Sequence, residues 1–164
     1  MLTLLAVLVQ AVPPPPLSAQ LVSTEIWFDA KASIADFQGR ATVATGTLAW
    51  VEVRWADIET NNGARNRHML KTVDAERFPV IRFDVSGGGV RAGGDSVAGT
   101  LTIHGVTRQV VWPVALQYGA DTLKVAADFP VDMRDYGIKP PVRFVIARMG
   151  AVVTVHVRLV FRRG

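Results

Sequence analysis

A chain of 164 residues with 49% hydrophobic and 20% charged residues has the size and composition of one folded domain around one core, which excludes a disordered chain. It contains no cysteine, which excludes disulfides, thiolate metal sites, a cysteine nucleophile and a lipid anchor on an N-terminal cysteine. The net charge of +4 is carried by arginines that alternate with apolar residues along the whole chain rather than gathering on one element with aromatics, so solvated strand faces are expected and nucleic-acid binding is not.

The chain opens on an uncharged apolar run over residues 2–12, followed by Pro13, Pro14, Pro15 and Pro16 and then Leu17-Ser18-Ala19. That run is shorter than the roughly 20 apolar residues a membrane span requires. It fits the apolar segment of a secretory signal peptide cleaved after a small residue, here Ala19, although no Lys or Arg precedes it. The reading is a signal peptide over residues 1–19 and a mature domain over residues 20–164. That domain would be periplasmic or secreted, without a stable membrane anchor.

From Thr24 onward the dominant period is two, the mark of strands with one buried face. Ile26, Phe28 and Ala30 alternate with Trp27, Asp29 and Lys31. A second strand region is expected through Gly46-Thr47-Leu48-Ala49-Trp50-Val51-Glu52-Val53. After Asn61-Asn62-Gly63, residues 64–71 (ARNRHMLK) form the one helix candidate. Ile81, Phe83 and Val85 alternate with Arg82 and Asp84. Val97, Gly99, Leu101 and Ile103 share a face, as do Val110, Trp112, Val114 and Leu116, where Pro113 predicts an edge or a bulge. Leu123, Val125, Ala127 and Phe129 make a further strand, and Val153, Val155, Val157, Leu159 and Phe161 the last. His104-Gly105, Tyr118-Gly119, Tyr136-Gly137 and the glycines at 87–89 and 93–94 supply turn positions between them.

Short strands at regular spacing predict an all-β meander, and closure into an antiparallel barrel of about eight strands removes its edges. Such a barrel either fills with side chains or holds a ligand. Small residues on the inward faces, such as Ala30, Ala127, Val125, Val153 and Val155, favour a cavity.

Three ordered motifs narrow the reading. Gly99-Thr100-Leu101-Thr102-Ile103-His104-Gly105-Val106-Thr107-Arg108-Gln109-Val110 closely resembles the hallmark strand–turn–strand of the YceI-like family. Thr60-Asn61-Asn62-Gly63-Ala64-Arg65-Asn66-Arg67-His68-Met69-Leu70, leading into Phe78-Pro79-Val80-Ile81-Arg82-Phe83, agrees in order, and so does Met133-Arg134-Asp135-Tyr136-Gly137-Ile138. The resemblance covers about residues 24–161. It implies a single lipocalin-like antiparallel β-barrel with an apolar tunnel for a polyisoprenoid or polyprenyl-quinone lipid. The implied role is an exported carrier, with no catalytic residues and no cofactor beyond that lipid.

An isoprenoid tail offers no hydrogen bonds, so its site need only be apolar, dry and elongated. At roughly 0.8 kcal/mol per buried methylene-sized group, each five-carbon unit contributes on the order of 4 kcal/mol. Eight units would exceed the practical ceiling of about 18–21 kcal/mol for non-covalent binding. Affinity is thus in excess, and specificity falls to tunnel length and to the head group. The expected wall residues are Ile26, Phe28, Trp50, Ile81, Phe83, Leu101, Ile103, Val125, Phe129, Val153 and Val155. Arg67, His68 and Arg134 are the candidates for a polar mouth, since a guanidinium fork suits anionic oxygens.

Other chemistries find less support. His68, His104 and His156 share no metal-ligand spacing, and no metal site is expected; His104, at a turn, is better read as bonding backbone. Gly87-Gly88-Gly89-Val90-Arg91-Ala92 loosely matches a dinucleotide fingerprint, but a strand and not a helix follows, so it reads as a hairpin loop. There is no Gly-x-Ser-x-Gly elbow, and Ser23, Ser33, Ser86 and Ser96 lack an evident base. The alternatives are a filled barrel that binds a partner through its surface and an enzyme of undetermined type, with Asp132 and Asp135 as conceivable carboxylates. An exposed Trp27 or Trp55 would offer a homodimer interface.

Overall fold

The computed structural model describes residues 19–86, 94–140, 142–143 and 147–164. The expected leader (apart from Ala19) and the hairpin loop expected at 87–93, with its glycines at 87–89 and 93, lie outside the described residues. The elements in chain order are β1 (Ala19–Ala32), β2 (Phe37–Ala41), β3 (Thr45–Thr47), β4 (Trp50–Arg54), β5 (Ile58–Glu59), α1 (Gly63–Thr72), β6 (Val80–Val85), β7 (Ser96–Ile103), β8 (Val106–Pro113), β9 (Ala115–Tyr118), β10 (Thr122–Asp132), β11 (Val142–Arg143) and β12 (Ala147–Arg163). Two short 3-10 segments intervene, η1 (Trp55–Asp57) after β4 and η2 (Met133–Tyr136) after β10.

The long strand β12 is the spine. It pairs antiparallel with β1 on one side, from Ala19↔Arg163 to Ala32↔Met149, and with β10 on the other, from Thr122↔Arg162 to Asp132↔Val152. The β2 and β3 segments are stretches of one bent strand. β2 lies against residues 26–30 of β1, and β3 meets β1 at Gln20. From β3 the sheet continues through β4, β6 and β7 to β8. The β8 and β9 segments likewise form one strand, broken at Val114: β8 pairs with β7 and β9 with β10, so this strand joins the two ends of the sheet. Counted as continuous paths, eight strands make the ring, with β5 and β11 as two-residue additions. The eight-stranded antiparallel barrel expected from the sequence is therefore the fold, although it is cut into more segments than the periodicity reveals.

Pro113 stands where this strand changes partners. It lacks an N–H for a ladder, and the next residue, Val114, donates instead to the Asp95 carbonyl at 2.8 Å. Beyond this point β8 and β10 share no ladder. The Trp112 ring stacks on Phe129 across the seam, with centroids 3.7 Å apart. The η2 segment closes the remainder: the Asp135 carbonyl accepts from Arg108 Nε at 2.6 Å, and the Tyr136 carbonyl from the His104 ring at 3.1 Å. His104 and Gly105 occupy the two central positions of the β7–β8 turn with φ of 53° and 74°, the positive values a tight hairpin of this kind requires. The histidine thus bonds backbone, as its turn position suggested.

The strand expected through residues 46–53 is instead a hairpin. β3 and β4 pair at Thr45↔Glu52, Gly46↔Val51 and Thr47↔Trp50, around Leu48 and Ala49. No Gly, Asn or Pro marks that turn, which is held by a 3.1 Å bond from the Ala49 N–H to Thr47 Oγ1. Gly46 allows the close approach, because a Cβ there would collide with the Trp50 carbonyl. The helix spans Gly63–Thr72, and Asn62 caps it by accepting from the Arg65 N–H at 2.9 Å. Thr60, buried, donates to Asn66 Oδ1 at 2.6 Å and so ties the first turn of α1 to the barrel wall.

Candidate functional site

The inward residues form two clusters of buried side chains, one at each end of the barrel. The larger lies under α1 and includes Ala30, Val53, Trp55, Val73, Ile103, Val131, Tyr136 and Ile138. The smaller, at the far end, contains Ala19, Val125, Leu159 and Phe161. Between them runs a cavity of about 280 Å³ with an almost wholly apolar lining. Ile26, Phe28, Ile81, Phe83 and Val155 face it and yet are only half-buried. Side chains on the inner face of a filled barrel would be sealed by their neighbours at close-packed density. Their remaining accessibility marks open space inside the wall.

The structure places Ile26 and Phe28 from β1, Ile81 and Phe83 from β6, Leu101 and Ile103 from β7, Val125 and Phe129 from β10, and Val153 and Val155 from β12 on the lining. Trp50 is a correction. The unforeseen turn at Leu48-Ala49 shifts the alternation by one, so Val51 faces the cavity and Trp50 the outside, where the Arg82 guanidinium lies 4.7 Å from its ring centre. Of the mouth candidates, His68 reaches the lining from α1, while Arg67 does not and stands exposed. Arg134 is also off the lining, held by Asp132 at 2.6 Å on the outer surface. Arg65 takes the place expected for Arg67. It lines the helix end, donates to the Thr60 carbonyl at 3.3 Å and lies 4.3 Å over the Phe37 ring.

Trp55 and Tyr136 were not foreseen as lining. Each sits in a 3-10 segment, where a period of two no longer reports which way a side chain faces. Trp55, read as an exposed interface residue, is buried instead, and its indole nitrogen lacks any hydrogen-bond partner. Burial pushes the Tyr136 phenol above its usual range. Trp27 is on the outer face, stacked on His156 at 4.8 Å and flanked by Arg40 and Arg158. The three histidines lie on α1, in the β7–β8 turn and on β12, and among the described residues no group of His, Asp or Glu is placed to hold a metal. No described helix is long and apolar enough to cross a membrane.

Outer-face charges are paired across strands. The ring nitrogens of His156 lie 3.0 Å from Asp29 and 2.7 Å from Asp128, and Arg158 also meets Asp128 at 3.0 Å. The Arg158 bond, reinforced by His156, holds the Asp128 carboxyl below its ordinary range; Arg134 does the same for Asp132, and Lys31 for Asp36. A carboxyl depressed by folding stabilises the native state above its unfolded pKa of about 3.9, and that contribution disappears as pH falls through the lower folded value. Thermal midpoints followed by circular dichroism should therefore hold level from pH 7 to 5 and drop progressively below about pH 4. A midpoint unchanged between pH 5 and 3 would show that these pairs contribute nothing. The drop should be modest, since the pairs are solvent-screened.

The nearly closed antiparallel ring, the cavity along its axis and the helix over one end define a hollow, lipocalin-like β-barrel. The chain belongs to the YceI-like family, whose domain model matches residues 19–161. Two UPF0312 proteins of Pseudomonas putida, from strains F1 and KT2440, are 26% identical over 102 residues, covering 56% of this chain and 52% of theirs. The chain thus spans about half the length of the curated relatives it matches. Among solved structures, a polyisoprenoid-binding domain from Saccharophagus degradans implicated in plant cell wall breakdown superposes with a TM-score of 0.75 at 17% identity, covering 90% of this chain and 99% of that one. BcnA of Burkholderia cenocepacia superposes with a TM-score of 0.66, also at 17% identity, over 84% of this chain and 95% of its own. At these identities the likeness is one of fold.

Proposed function

We propose that this protein is a carrier that holds one long apolar lipid of the polyisoprenoid class inside its barrel, and that it is not an enzyme. The observation that carries the reading is the apolar cavity between the two end clusters, faced by Ile26, Phe28, Phe83 and Val155, which point inward but remain half-open. Such a lining binds by excluding water, without directional bonds, and suits a flexible hydrocarbon chain. The polyisoprenoid-binding relative of the same fold supports the ligand class. We further propose export to the periplasm, with the apolar leader removed after Ala19.

The test is to express the full chain with its leader, recover it from the periplasm, and combine native mass spectrometry with organic extraction. A stoichiometric isoprenoid or prenyl quinone is expected, on a chain whose mass corresponds to a start at Gln20. An empty protein that also takes up neither quinones nor fatty acids when they are offered would overturn the carrier reading in favour of a surface-interaction role. A lipid-loaded protein retaining residues 1–19 would overturn the proposed cleavage alone.

A further inference from the structure

The chain contains no cysteine, so methionine carries all of its sulfur. Of its four methionines, Met1 belongs to the expected leader, and the other three, Met69, Met133 and Met149, all line the cavity. They come from separate elements. Met69 lies on α1, where its carbonyl accepts from the Val73 N–H at 3.0 Å. Met133 opens η2, its carbonyl accepting from the Ile138 N–H at 3.1 Å. Met149 lies near the start of β12, opposite Ala32 of β1. All three pack against the larger buried cluster under α1 and none against the smaller one, so the thioethers gather at the helix end.

Each is half-buried, whereas Val73, Ile103 and Val131 on the same lining are buried. The methionines thus keep surface open to the cavity, within reach of a small neutral oxidant. A thioether is apolar and polarizable, and on taking up one oxygen atom it becomes a polar sulfoxide. At the far end Leu48, Val125, Leu159 and Phe161 offer a peroxide no such atom.

Resting on the carrier reading above, we infer that Met69, Met133 and Met149 form an oxidation site through which a peroxide switches off lipid uptake. Each sulfur attacks one oxygen of hydrogen peroxide. An S–O bond forms and the O–O bond breaks; the thioether loses two electrons. A proton passes from the attacked oxygen to the departing one, which leaves as water. The sulfoxides then stand on a wall that the lipid must touch. In the empty protein, water in the cavity solvates them. When a hydrocarbon chain enters, that water leaves and the sulfoxide oxygens lose their partners. The cost falls on binding. A lipid already in place covers the same sulfurs, so the empty protein is the form that reacts.

The experiment exposes delipidated protein to hydrogen peroxide, maps oxidised methionines by peptide mass spectrometry, and measures uptake of an octaprenyl hydrocarbon from detergent micelles. Met69, Met133 and Met149 should each gain one oxygen. Uptake should fall at least about tenfold, the scale of one buried polar group without a partner, while the circular dichroism spectrum stays unchanged. Protein loaded with the hydrocarbon beforehand should be oxidised more slowly at these positions. The triple variant M69L/M133L/M149L has no thioether on the lining and should lose no uptake to peroxide, relative to its own untreated form. Should it not fold, the single leucine variants replace it, each losing less uptake to peroxide than wild type. Sulfurs that peroxide leaves untouched, or that a bound lipid leaves unprotected, would overturn the oxidation site while leaving the carrier reading intact. So would undiminished uptake by oxidised protein, uptake lost together with the barrel's spectrum, or an equal loss in the leucine variants. Failure of the untreated protein to bind the hydrocarbon would overturn the carrier reading, and this site with it.

Discussion

Phe83→Asp is expected to cut lipid uptake by at least about a hundredfold, roughly 2.7 kcal/mol, while leaving a folded barrel. Phe83 sits mid-wall on β6, paired across β7 with Leu101, its ring 5.2 Å from that of Trp112. An aspartate there turns a carboxylate towards the space the lipid tail must occupy. In the empty protein the cavity can admit water around the charge, so the folded state loses the Phe83–Trp112 contact without enclosing a bare ion. When a tail enters, that water must leave, and a carboxylate enclosed by hydrocarbon carries a penalty of several kcal/mol. The penalty therefore acts on binding more than on folding. Phe83→Leu keeps the wall apolar and should bind within a few-fold of wild type. Uptake is read by lipid extraction from protein whose circular dichroism spectrum matches wild type. A well-folded Phe83→Asp protein with undiminished uptake would remove the cavity from the binding site.

The inner face of the barrel was legible because alternation is the direct imprint of a sheet with one buried side. Every expected wall residue except Trp50 lines the cavity, and Trp50 was misplaced for a local reason. The Leu48-Ala49 turn is built from residues with no turn signature, and a missed reversal inverts the face of everything up to the next landmark. The segment count was illegible for a related reason: Val114 interrupts a strand whose side chains keep their alternation, so β8 and β9 read as one. The helix was visible from Asn62 and the turn before it, but which basic residue would reach the cavity depended on how α1 rolls on the barrel end, and Arg65 rather than Arg67 turns inward. Trp55 and Tyr136 escaped because they follow strand ends in 3-10 turns. Their signal, an aromatic just past an alternating run, is equally that of a surface residue. Whether the barrel is hollow could not be read from periodicity at all, since filled and open interiors place apolar residues at the same positions.

Ala127→Phe addresses that last distinction. Ala127 lies on β10 between the lining residues Val125 and Phe129, faces inward, is buried, and pairs with Val157 of β12. In a filled core the added ring would force its neighbours off their rotamers at a loss of typically 1–3 kcal/mol. Here the ring can enter the existing cavity, and burying it contributes up to about 1.5–3 kcal/mol of transfer free energy. The variant should melt at or above the wild-type temperature. The same ring obstructs the passage between the helix end and the Phe161 end, so uptake of an octaprenyl lipid should fall at least about tenfold while a short prenyl chain, lodged on one side of the block, still binds. Both readouts come from one protein, and they move in opposite directions only if space and ligand share the same cavity. A destabilised variant with unchanged lipid uptake would mean that the interior is filled and that lipid, if bound, sits elsewhere. A stable variant with unchanged uptake of the long chain would place the tail along a route that avoids β10. The combination of raised stability and lost long-chain binding ties the emptiness of the barrel to its use.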